Sequence, residues 1–150
     1  MPPASPPRGR RRSSKPGRVG SITPVEGFDF VHREQVRFRD VDEMGHVNNA
    51  VFLTYIEEAR IAYLLRFDAR VTDMILARAE IDFRAPLRSG DELEIGVRPA
   101  SVGTKSFQLE YQVRSGDTLA AEAKTVIVSY DYKTGRSVEL PETWKEALAA

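Results

Sequence analysis

The chain has 150 residues, 22 basic and 22 acidic side chains, two histidines and no cysteine, and hydrophobic residues make up 41% of it. That is the length and composition of one packed domain, and the missing cysteine excludes disulfides, thiolate nucleophiles and cysteine-held zinc or iron–sulfur centres. A zinc site would need both His32 and His46 plus carboxylates, so no metal is expected; no apolar run reaches the roughly 20 residues of a membrane span and the start shows no signal segment, so a cytoplasmic protein is expected.

The zero net charge hides an asymmetry. Residues 1–24 carry Arg8, Arg10, Arg11, Arg12, Lys15 and Arg18 without an acid, a charge of +6, which leaves −6 for the other 126 residues. Proline, glycine and serine crowd among these arginines, so residues 1–24 are expected to be a disordered basic extension and residues 25–150 the folded domain. Tethering to nucleic acid is not expected, because no aromatic residue is interleaved to stack on bases and the domain itself is acidic. A transit peptide would need an amphipathic period that this stretch lacks.

Phe30 to Asp40 reads as a first strand, since Val36 and Phe38 alternate with Arg37 and Arg39. After the turn-like DVDEMG, the segment from His46 to Phe67 has no Gly or Pro and predicts one helix of about five turns. Its circumference is apolar except for Thr54, Glu57, Glu58 and Arg60, so it should be enclosed on most sides, with Glu57 and Arg60 as an intrahelical or subunit-interface ion pair. Strands follow. Ala77, Ala79, Ile81, Phe83 and Ala85 alternate with charged residues, as do Leu93 to Pro99 and Phe107 to Val113, with turns at Ser89-Gly90-Asp91, Val102-Gly103-Thr104 and Ser115-Gly116-Asp117. A last strand, Leu119 to Tyr132, should be buried on both faces in its VIVSYDY half, and Pro141 should open a short terminal helix. The order predicts an α+β domain, a curved antiparallel sheet wrapped around one long central helix.

Polar residues concentrate between the first strand and the helix, from Arg39 to Asn49. A helix N-terminus offers unpaired N–H groups and a positive dipole end, which polarise a carbonyl, and a carboxylate just upstream can act as base or nucleophile. The cluster therefore suits acyl transfer. Each residue also has a plainer reading: Asp42 as a cap or Asx-turn, Gly45 as a left-handed turn, His46 as an exposed first-turn residue, Asn48 and Asn49 as caps.

Residues 36–60, VRFRDVDEMGHVNNAVFLTYIEEAR, resemble the first motif of the 4-hydroxybenzoyl-CoA thioesterase family of the hotdog-fold superfamily, D-x-D-x-x-G-H-V-N-N-x-x-Y. Residues 79–95, AEIDFRAPLRSGDELEI, are similar to that family's strand, proline turn and Gly-Asp pair. The resemblance implies a hotdog fold and an acyl-CoA thioesterase. It makes Asp42 the catalytic carboxylate, the Asn49 N–H the group that polarises the thioester oxygen, and Gly45 the glycine at the helix start, with His46 beside them. Val47, Asn48, Phe52 and Tyr55 become substrate-binding residues, Phe52 standing where the motif usually has tyrosine and Thr54 and Tyr55 lining an acyl channel. It further implies a homodimer or homotetramer, no cofactor beyond the substrate's own coenzyme A, and phosphate contacts for which Arg84, Arg88 and Lys105 are candidates. An acyl-carrier-protein thioesterase or a non-catalytic acyl-CoA-binding or regulatory module are the competing readings, and the presence of both motif aspartates counts against the latter.

Overall fold

The computed structural model describes residues 25–150; the expected basic extension lies outside the described residues. The first strand, β1 (Phe30–Gln35), is shorter than the alternation suggested. Phe38–Asp40 closes into a 3-10 turn instead, in which the Arg37 N–H donates to Asp40 Oδ2 at 2.9 Å. Val36 is buried but Phe38 is 85% exposed. The local side-chain acceptor at Asp40 competes with the ladder and ends the strand early.

Helix α1 (Asn49–Leu65) begins three residues later than the sequence suggested, because Asn48 caps it, its side chain accepting the Ala50 N–H at 2.9 Å. His46 and Val47 are not helical; they make isolated bridges to Arg88 and Val41. Phe52, Tyr55, Ile56, Ala59, Tyr63 and Leu64 recur at helical spacing and are buried against the sheet, whereas Leu53 and Leu65 are exposed. Within one chain the helix is therefore covered on one face rather than enclosed.

The sheet holds β2 (Met74–Phe83), β3 (Glu92–Val102), β4 (Ser106–Ser115) and β5 (Thr118–Asp131), with a short β6 (Arg136–Ser137) on β5. All pairings are antiparallel, in the order β1-β3-β4-β5-β2. Register shifts at Leu76/Arg78, Pro99/Ser101 and Val113/Arg114 bend the strands so that the sheet curls around α1. Leu93, Ile95, Val97, Phe107, Leu109, Tyr111, Val113 and Ile127 line the concave face and are buried under the helix. Each such side chain contributes about 1.5–3 kcal/mol by leaving water.

Two strands differ from the sequence expectation. The second half of β5 has one buried face only: Thr125, Ile127 and Ser129 are buried, while Val126, Val128 and Tyr130 are half-buried. In β2 the register shift takes Ala77 out of the alternation, so the concave residues are Met74, Leu76, Ala79, Ile81 and Phe83, opposite Ser129, Ile127, Thr125, Ala123 and Ala121 of β5. β2 is an edge strand that α1 covers only in part, and Leu76 and Phe83 stay exposed.

Helix α2 (Glu142–Ala149) takes Pro141 as its N-cap rather than as its first helical residue, and packs Trp144 and Leu148 into the core. Among the described residues no helix is long and apolar enough to cross a membrane.

Candidate active site

The loop between β1 and α1 is shaped by its two aspartates. Asp40 Oδ2 accepts the Tyr55 hydroxyl at 2.7 Å as well as the Arg37 N–H, and the Asp40 carbonyl accepts the Asn48 N–H at 3.0 Å. It thereby ties the loop to the body of α1. Asp42 Oδ1 accepts the N–H groups of Met44 at 2.8 Å and His46 at 3.2 Å, an Asx-turn reinforced by the Asp42 N–H bonding the His46 carbonyl at 2.8 Å. Gly45 completes this turn with φ +76°, a conformation that costs any other residue about 1–2 kcal/mol. The Val47 N–H bonds the Leu87 carbonyl at 2.8 Å, fastening the loop to the turn that follows β2.

These ties leave one side of the loop open. Asp42, His46, Val47, Asn48, Asn49 and Phe52 line a cleft of about 500 Å³, closed on the far side by Phe83, Arg84, Ala85 and Pro86. Asn49 is the first residue of α1, so its N–H has no helical acceptor, and Asn48 spends its side chain on Ala50. No hydrogen bond among the described residues uses the Asn49 N–H or Asp42 Oδ2. The cleft thus combines a helix N-terminal donor, a free carboxylate oxygen and an apolar wall. In that wall the rings of Phe52 and Phe83 meet edge to face, with centroids 5.2 Å apart.

Three of the residues expected at the site, Gly45, the exposed Thr54 and Tyr55, do not line the cleft. Gly45 supports it from the turn. The Tyr55 side chain runs to Asp40, and burial followed by the Asp40 bond raises its phenol far above the ordinary range, so it stays a proton donor. A residue three positions after Phe52 on a helix is rotated by about 60° from it, which carries Tyr55 out of the channel. Of the three basic candidates, Arg84 lines the cleft, its guanidinium 3.2 Å from Glu122 Oε2; the Arg88 backbone pairs beside His46, and Lys105 is not among the cleft residues. Glu57 and Arg60 form no ion pair among the described residues: Glu57 is exposed, and Arg60 is buried beside the Tyr111 hydroxyl, which bonds Thr125 Oγ1 at 2.7 Å. Arg84 apart, the wall from Phe83 to Pro86 escaped sequence reasoning. Its signal was the strand and proline turn of AEIDFRAPLRSG, which marks a motif but not which residues face the loop.

A family model described as the thioesterase-like superfamily matches residues 36–148. The chain belongs to this family, and its curled sheet around one main helix is the hotdog fold. It is 30% identical to an uncharacterised protein of Bacillus subtilis (strain 168) over 81% of this chain and 86% of that one. It is 29% identical to a 1,4-dihydroxy-2-naphthoyl-CoA hydrolase of Nostoc punctiforme over 77% of this chain and 83% of that one. Among solved structures, a thioesterase from Thermus thermophilus, complexed with coenzyme A and zinc, superposes with a TM-score of 0.77 at 40% identity, covering 83% of this chain and all (100%) of that one.

Proposed function

We propose that the chain is an acyl-CoA thioesterase of the 4-hydroxybenzoyl-CoA thioesterase kind, hydrolysing a thioester to the free acid and coenzyme A. What carries this reading is the pairing, in one cleft, of a free Asp42 oxygen with the unpartnered Asn49 N–H at the start of α1. The thioester carbonyl oxygen accepts the Asn49 N–H, and the positive end of the helix dipole stabilises the charge that develops there. Asp42 Oδ2 either attacks the carbonyl carbon, expelling the coenzyme A thiolate and leaving an anhydride for water to open, or takes a proton from the water that attacks. The acyl group lies against Phe52 and Phe83, and Arg84 of the facing wall meets a coenzyme A phosphate. So written, the reaction needs no cofactor beyond the substrate's own coenzyme A.

A homodimer belongs to the same reading. The unpaired edge and the uncovered concave residues Leu76 and Phe83 of β2 are the features a second copy would cover.

The test is free-thiol release from aliphatic and aromatic acyl-CoAs, with Asp42→Asn assayed alongside. Turnover on at least one ester, lost in the variant, is expected; the aromatic arm comes first because two phenyl rings form the wall and a relative is named for a naphthoyl ester. Turnover only on acyl-carrier-protein esters, falling steeply with salt, would transfer the activity to that partner. Tight acyl-CoA binding without turnover would make the chain a binding module.

A further inference from the structure

His32 and Glu34 lie two apart on β1, so the period of a strand turns both to one face. Their cross-strand partners, Ile95 and Leu93, are buried on the concave face, so this edge strand presents an imidazole and a carboxylate to α1. Glu58 of α1 meets them there. One potential ligand atom from each of the three residues lies within 4.8 Å of the other two, all three residues being half-buried.

The spacing suits a small cation. A tetrahedral ion with bonds of about 2.0–2.1 Å holds its ligands about 3.3–3.4 Å apart. His32 Nε2 lies 3.3 Å from Glu34 Oε2, the length of one such edge. Apolar side chains ordinarily occupy core-facing slots of this kind, and two facing carboxyls need either a shared proton or a cation between them. Without an ion the proton is held: its hydrogen bond to Glu34, together with burial, pushes the Glu58 carboxyl up to about 7. Arg37 reaches Glu34 only at Oε1, at 3.7 Å, leaving Oε2 turned to His32.

We propose that His32, Glu34 and Glu58 form a site for a divalent transition cation of the zinc class, binding edge strand β1 to α1. One imidazole nitrogen with two carboxylate oxygens favours such ions over magnesium or calcium, which take all-oxygen shells, and leaves a fourth position for water. Glu58 stands nine residues beyond Asn49, about 13 Å along the helix, so the ion is remote from the cleft and its task is structural. The expectation that a metal would need both histidines gives way to a site on His32 alone, because His46 faces the cleft.

The test uses the untagged, chelator-stripped full chain, titrated with zinc chloride by calorimetry and with cobalt(II) by visible absorption. One zinc ion per chain at submillimolar concentration, a four-coordinate cobalt spectrum and a raised Tm with zinc are expected. His32→Gln and Glu58→Gln should each weaken binding about tenfold or more, with circular dichroism confirming that they fold, while His46→Gln should bind zinc as the unaltered chain does. Absence of saturable binding, binding indifferent to both His32→Gln and Glu58→Gln, or binding lost in His46→Gln would each overturn the site.

Discussion

Asp42 divides its work between two oxygens. Oδ1 is committed to the Met44 and His46 N–H groups, and Oδ2 of this cleft-lining residue has no hydrogen-bond partner among the described residues. The sequence left capping and chemistry as rival readings of this residue; the turn is observed, and the free oxygen leaves room for the other role on the same side chain. Asparagine keeps an acceptor for both N–H groups and removes the charge, whereas alanine removes both. Both variants should lose about 10²–10⁴ in kcat/KM. In urea unfolding Asp42→Asn should stay within about 0.5 kcal/mol of the unaltered chain and Asp42→Ala should lose about 1–2 kcal/mol. A folded Asp42→Asn protein with undiminished turnover would remove Asp42 from the chemistry. Tyr55→Phe deletes the bond to Asp40 without touching the cleft; it should cost about 1–2 kcal/mol of stability and leave KM for acyl-CoA unchanged. Arg84→Ala, in the cleft wall, should do the opposite, raising KM about tenfold with little change in kcat, as loss of uniform binding does.

Among the elements, alternation located every long strand of the sheet and apolar spacing located α1, because both periods follow directly from backbone geometry. What the alternation missed were places where a local hydrogen bond or an extra residue interrupts it. The Asp40 side chain ends β1 at Gln35, and the irregularity at Ala77 changes which residues of β2 face inward. Gly96 illustrates a constraint invisible in one dimension: a Cβ built there would lie 2.6 Å from Phe28 Cγ, on the face of β3 away from α1. Gly96→Ala should displace Phe28 and cost about 1–3 kcal/mol, read by urea unfolding. Between β1 and α1, the raised Glu58 pKa makes a pH prediction for the metal-free protein. A carboxyl whose folded pKa exceeds its unfolded value stabilises fully below the unfolded value, and that stability is lost as pH rises to the folded one. The window runs from 4.5 to about 7. Glu34, lowered by the same hydrogen bond to Glu58, acts below that window with the opposite sign. With chelator present, Tm should therefore fall from pH 5 to pH 8 more steeply in the unaltered chain than in Glu58→Gln; parallel profiles would contradict the shared proton.

Across the whole molecule, the sequence conveyed the order of elements and the curved sheet but not which faces one chain leaves uncovered. The concave side of a five-strand sheet is wider than a single helix, and the uncovered strip falls on β2. Leu76 is already 42% exposed in the single chain, so Leu76→Lys should leave the fold intact. Placing a charge on the strip should nevertheless convert a dimer to a monomer in sedimentation velocity, and a monomeric unaltered chain would remove the proposed assembly. Because Phe83 belongs to both the strip and the cleft wall, loss of the partner should also depress turnover per chain as the protein is diluted.

The structural duty of the motif aspartates bears on how descendants of this chain should be read. Asp40 and Asp42 would both be kept by a lineage that had stopped hydrolysing anything, since each holds backbone of the loop in place. The expectation that the presence of both aspartates counts against a non-catalytic module therefore loses its force. Drift from aspartate to asparagine at position 42 is the informative change: it preserves the turn and discards only the charge, so selection for the fold would tolerate it and, under the mechanism proposed above, selection for hydrolysis would not.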